Sequence, residues 1–134
     1  MNPGTKFTKE PPSTLYVPLG SAARFHWVFT FGDAKDWKDF DEIIWGKTDN
    51  SMYLRTKYVT LVKSGSFFNF IVDSSVISRA RWIGNITQQQ GCHITFILEN
   101  VSKSDQITYG CTSSVWGEKI RSGPIRLVVT GECA

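Results

Sequence analysis

Asp105-Gln106-Ile107-Thr108-Tyr109-Gly110-Cys111 decides how this chain is read. Tyr109 and Cys111 stand two residues apart, so on a β-strand both side chains point to one face, the inward one for residues of this kind. Upstream, Ile94, Phe96 and Leu98 recur with the same spacing, as do Ala23, Phe25, Trp27 and Phe29 within Ala22 to Thr30. Downstream, Ile125, Leu127 and Val129 repeat it. A period of two in short runs punctuated by Gly and Ser marks half-buried strands rather than helices.

The chain has 134 residues, the length of one domain able to close a two-sheet core without a metal. With 41% hydrophobic and 13% aromatic residues, its body is not disordered. The net charge of +3 and pI near 8.8 are mild, and the basic residues are scattered rather than gathered on one face, which argues against nucleic acid. No apolar run approaches the ~18–20 residues that a membrane-spanning helix needs. The first residues, Met1-Asn2-Pro3-Gly4-Thr5-Lys6, lack the apolar core of a signal peptide, so an extracellular domain of this sequence is expected to be a processed piece. Two sequons, Asn85-Ile86-Thr87 and Asn100-Val101-Ser102, favour an extracellular, glycosylated protein.

Residues 1–14, with Pro3, Pro11, Pro12 and several lysines, are expected to form a flexible arm, residues 15–130 the domain, and residues 131–134 the start of a linker. Strands are expected at Leu15 to Val17, Ala22 to Thr30, around Ile43-Ile44-Trp45, at Met52 to Val62, Phe67 to Val72 and from Arg79 onward. Gly32 to Asp41 reads as a charged connection carrying Trp37 and Phe40, and Ser113 to Lys119 as a hairpin tip. There is no internal repeat.

These residues resemble the variable-set (V-set) immunoglobulin domains over Leu15 to Thr130. Asp-x-x-x-Tyr-x-Cys at 105–111 has the form in which strand F of such domains begins, Arg81-Trp82-Ile83-Gly84 the form of strand D, and Trp45 the place of the buried strand-C tryptophan. The resemblance implies an all-β fold, a two-sheet antiparallel sandwich with an extra C′–C″ hairpin between strands C and D. It also implies a Tyr109 hydroxyl bonded to backbone in the preceding turn and an ion pair between Asp105 and Arg81.

The sequence departs from the family where strand B should carry a cysteine, because Phe25 or Trp27 stands there. Cys92 and Cys111 are both expected to face inward from opposite sheets. They either form a relocated bridge or remain buried free thiols that pack as small apolar residues. Cys133, beyond the last strand, is expected to serve a following domain or to be an unpaired end.

Enzyme chemistry is not expected. His26 and His93 fall beside inward residues and so face outward, and Cys92 and His93 point to opposite faces and cannot share a metal. Asp36, Asp39, Asp41 and Glu42 lack the alternation and glycine of a calcium loop. No cofactor or metal is expected. Binding remains, with Tyr53, Tyr58, Trp116, Trp37 and Phe40 as candidate aromatic anchors, Trp37 and Trp116 being as well suited to folding back on the sandwich. The missing strand-B cysteine, the Trp82 to Asn85 stretch and the Asn100-Val101 lead into Asp105 look most like the membrane-distal domains of the allorecognition receptors of colonial hydroids, which are cnidarians. That likeness implies an extracellular part of a plasma-membrane protein that binds a copy of itself on an apposed cell. An immune-type receptor domain taking a different protein or a glycan through its loops is the second reading.

Overall fold

A computed structural model of the chain describes residues 1–65 and 67–131; Cys133 and the expected linker beyond residue 131 lie outside them. The strands run β1 (Lys6–Lys9), β2 (Thr14–Pro18), β3 (Ala23–Thr30), β4 (Phe40–Thr48), β5 (Leu54–Ser64), β6 (Phe67–Val72), β7 (Ala80–Thr87), β8 (Gly91–Leu98), β9 (Thr108–Val115) and β10 (Glu118–Thr130). A short helix, α1 (Ala34–Lys38), joins β3 to β4. One sheet is four-stranded, ordered β1-β3-β8-β7, and the other six-stranded, ordered β2-β10-β9-β4-β5-β6.

The period-two reading of the sequence is realised in the core. Ala23, Phe25, Trp27 and Phe29 are fully buried along β3, and Ile94, Phe96 and Leu98 stand beside them on the neighbouring strand β8. From the other sheet come Ile43, Trp45, Val59, Leu61, Tyr109, Cys111 and Leu127. Trp45 stacks on Phe96 at 5.5 Å between ring centroids and meets Tyr58 edge-on at 5.3 Å. Each such side chain contributes about 1.5–3 kcal/mol by leaving water, and the aromatic geometry adds a smaller term.

The sheets are not both antiparallel, as the sequence reading expects. β2 runs parallel to β10, Thr14 beside Arg126 through Pro18 beside Thr130. The cause lies in the N-terminal segment, which is built into the fold rather than a loose arm. β1 pairs with β3 on one sheet, and the chain then crosses to the other sheet through Glu10-Pro11-Pro12-Ser13. Proline cannot donate to a ladder, so a pair of them suits the crossing and ends β1.

Two connections also differ from expectation. Asp33 caps α1 by accepting from the Asp36 N–H at 2.9 Å, so the segment expected to be a plain charged connection contains a helical turn. The β9–β10 hairpin is tighter than Ser113 to Lys119, since Val115 already pairs with Glu118. Its two turn residues, Trp116 and Gly117, have φ of 58° and 74°, the left-handed pair that a two-residue turn of matching twist requires.

Candidate functional site

The outer face of the six-stranded sheet is the broadest ordered surface, and strand register fixes what it displays. One outward row runs Arg121, Thr112, Ile44, Thr60 and Ile71 across β10, β9, β4, β5 and β6. The next runs Lys119, Ser114, Glu42, Val62 and Asn69. Short side chains in the middle strands make a shallow trough with Ile44 and Thr112 in its floor and Tyr53, Lys57, Lys119 and Arg121 around it. Thr112 and Ser114 are almost wholly covered by their longer neighbours, and Lys119 Nζ donates to Ser114 Oγ at 2.8 Å and lies 3.5 Å from Glu42.

Tyr53 is half exposed, and the Arg121 guanidinium lies 4.2 Å from its ring centroid. A cation against an aromatic face holds both groups in place before any partner arrives. Gly46 shapes the trough beside them: a Cβ there would stand 2.0 Å from the Thr56 carbonyl oxygen, so only glycine lets β4 and β5 approach so closely.

The candidate anchors separate into surface and core. Tyr53 and Trp116 remain about half exposed, whereas Tyr58 and Phe40, expected as surface anchors, are core residues at 3% and 2% exposure. A register shift turns Tyr58 inward, because Trp45 pairs with Val59 and Gly46 with Lys57, leaving Tyr58 as the extra residue against Trp45. Phe40 closes the end of the sandwich against Phe29, Phe31 and Phe68. Trp37 takes the folded-back alternative, half-buried on Phe31, Phe40 and Phe68 with Lys63 Nζ 4.3 Å above its ring.

Trp116 is held by Asp36, one of the carboxylates of the charged connection before β4. Its indole N–H donates to Asp36 Oδ1 at 2.8 Å, while Asp36 Oδ2 accepts from the Asn2 N–H at 2.9 Å and the Thr5 hydroxyl at 2.5 Å. Burial alone would raise the Asp36 pKa, but these donors and the nearby amino terminus hold it below the usual carboxylate range. The one advance sign of this arrangement was an Asp three residues after a capping Asp, which is too common to be specific.

At the opposite end, Asp105 pairs with Arg79 and not with Arg81. Arg79 Nη1 and Nη2 reach the two Asp105 oxygens at 3.0 Å each, and the Ser102 N–H adds a third donor at 2.8 Å. Arg81 on β7 instead bonds Glu99, just past β8, at 2.8 Å, with both side chains about half exposed. The reason is parity: Ala80 and Trp82 face the core and Arg81 points outward, whereas Arg79 precedes the strand and is free to turn under it. The Tyr109 hydroxyl donates to the Asp105 carbonyl at 2.8 Å, as the sequence reading expects.

Cys92 and Cys111 are both buried and both free, so the bridge between them is not made. Trp27 donates its indole N–H to Ser122, the strand neighbour of Cys111, and so occupies the space facing Cys111. Cys92 sits beside Phe29, one inward step further along than Ile94, which pairs with Trp27. Burial pushes both thiols up in pKa. His26 and His93 face outward, bonded to Thr95 and to the Gln90 carbonyl. Among the described residues no group of three or more His, Cys, Asp and Glu is placed to hold a metal ion, and no helix is long and apolar enough to cross a membrane. Asn85 and Asn100 are both exposed, Asn85 on β7 of the four-stranded sheet and Asn100 in the turn after β8. No protein-family model matches the chain, and no curated protein matches it in sequence.

Proposed function

We propose that this chain is a variable-type immunoglobulin domain from the extracellular part of a cell-surface protein, and that it binds a second copy of itself on an apposed cell through the outer face of the six-stranded sheet. In the lettering of that family, the strand order reads A-B-E-D and A′-G-F-C-C′-C″, with β5 and β6 as the hairpin inserted between strands C and D. The likeness to hydroid allorecognition receptors supplies the homophilic part of this reading.

The single observation that carries the binding surface is the trough with the ordered Tyr53–Arg121 pair at its wall. Tyrosine and arginine are the residue types that concentrate binding energy in protein interfaces. The face carries both signs of charge, Glu42 among Lys57, Lys119 and Arg121, so a two-fold contact with an identical face offers each charge an opposite. Both sequon asparagines lie off this face, so glycans there leave it bare.

Beads coated with the chain test the proposal. Dense coating is expected to clump beads, since many weak contacts add up at apposed surfaces. Coating with Arg121→Glu or with Tyr53→Ala is expected to abolish clumping. Clumping indifferent to both changes would remove this face from the proposal, and beads that never self-clump but capture a different ectodomain would establish the heterophilic reading instead.

A further inference from the structure

The four outer edges of the two sheets are β1, β7, β2 and β6, and only one of them lacks protection. β1 carries Lys6 and Lys9, β7 carries Arg81 and Gly84, and β2 ends in Pro18. Such charges, prolines and breaks keep edge strands from pairing with other chains. β6, Phe67-Phe68-Asn69-Phe70-Ile71-Val72, has no charge and no proline, and it pairs with β5 without a register shift from Val59–Val72 to Ser64–Phe67. Its free side therefore presents a regular, unpaired row of backbone donors and acceptors. Phe67, Phe70 and Ile71 are 75%, 62% and 62% exposed along it. Beside it runs a mostly apolar groove lined by Phe70, Val72, Ile77, Ala80 and Trp82 together with Arg81, where β6 and β7 stand at the open margin of the sandwich.

From this edge we infer that β6 is a second self-association site, at which two copies add strand to strand antiparallel and join their six-stranded sheets. The partner is a second copy because the strand complements itself. A two-fold axis perpendicular to the sheet keeps outer residues with outer residues. Centred on Asn69, it sets Phe67 opposite Ile71, Phe68 opposite Phe70, and Asn69 opposite its own copy, amide to amide. No like charges meet along the strand pair, because β6 carries none.

The size of the contact sets its strength. Two phenylalanines and an isoleucine that each lose most of their exposed surface cover roughly 400 Å² per copy, so the total of about 800 Å² is well below the ~1,200–2,000 Å² of stable complexes. The pairing is therefore weak and reversible in solution and becomes appreciable where copies are concentrated. It does not use Tyr53, Arg121 or the trough, and it stands whether or not the face reading does.

An Asn69→Cys variant in a Cys133→Ser background reads the contact directly. Residues directly opposite across an antiparallel pair have Cα atoms about 4.5–5.5 Å apart, within disulfide reach. Mild oxidation at tens of micromolar is expected to give a disulfide-linked dimer, with Thr87→Cys on the β7 edge giving several-fold less. Phe70→Lys added to Asn69→Cys is expected to reduce the yield to that of the β7 control, with far-ultraviolet circular dichroism showing that the sheet is retained. If that variant does not fold, sedimentation of the chain carrying Arg121→Glu, which breaks the face contact, decides: a concentration-dependent shift toward dimer supports the pairing. Linking of the residue-69 thiols no better than the control, or a monomer at every concentration, overturns it and leaves the strip to a different protein or a lipid. Bead clumping by Phe70→Lys, in which the β6 pairing is broken and the trough is untouched, reports the face separately, so either proposal fails alone.

Discussion

Asp105 holds together three things that a sandwich of this kind has to join: the turn before β9, the arginine before β7 and the Tyr109 hydroxyl through its own carbonyl. Because the carboxylate is buried, removing it leaves the Arg79 guanidinium without its counter-charge and with only the Glu99 and Asn100 carbonyls as acceptors. Asp105→Ala is expected to cost about 3–5 kcal/mol, and Arg81→Ala only about 0–1 kcal/mol because the Arg81–Glu99 pair is exposed. Urea melts of the two variants check the contrast. The pH dependence follows in sign. Burial would raise the Asp105 pKa, but the bonds and charge of Arg79, the Ser102 N–H and nearby Lys47 bring it below its ordinary value. A depressed folded pKa gives stability that is complete above the unfolded value of about 4 and is lost as pH falls through the folded one. Thermal melts from pH 7 to pH 2 are expected to show a steeper acid decline for the unaltered chain than for Asp105→Asn. The acid and the tyrosine were legible in the sequence because their roles are local. The arginine was misread by two residues because parity at a strand's first residue depends on where the strand starts, which side-chain type does not reveal.

Among the elements, β1 and α1 are not legible in the sequence, for different reasons: β1 is held by its ladder to β3 and by a distant carboxylate rather than by its own composition, and α1 is a single turn started by the Asp33 cap, too short to show a period. Lys6-Phe7-Thr8-Lys9 has little apolar alternation, yet Phe7 packs on Phe29 at 4.9 Å and Asp36 ties down Asn2 and Thr5 from α1. Asp36→Ala is therefore expected to loosen the first nine residues without unfolding the sandwich. Limited trypsin digestion should cut after Lys6 and Lys9 many times faster in the variant, and equal rates would show that β1 is held by its ladder alone. The strands with a clean period of two, β3 and β8, were placed correctly because burial on one face writes itself into sequence. Bulges leave no such mark, and the one in the β4–β5 pairing sent Tyr58 from the expected surface into the core.

At the scale of the whole molecule, the two sheets are packed together without a disulfide among the described residues, through an aromatic interior and the Trp27–Ser122 hydrogen bond at 2.8 Å. Both described cysteines are expected to stay unmodified by a maleimide in the folded chain and to react fully in guanidinium, as counted by intact mass; a pair of thiols that appears only after reduction would show a bridge instead. The two-sheet architecture was legible from patterning alone, while the mixed character of the larger sheet was not, since nothing in Thr14 to Pro18 states a direction. That direction has a mechanical consequence. β2 lies parallel to the last five residues of β10, so a pull on the chain beyond Thr130 runs along the paired strands and shears those hydrogen bonds side by side. The bonds then share the load and must give way together, whereas a strand peeled from its end would release them one at a time. On the proposed reading, in which the far face grips another cell, the N-terminal strand is the clamp that keeps tension between cells from drawing β10 out of the sheet.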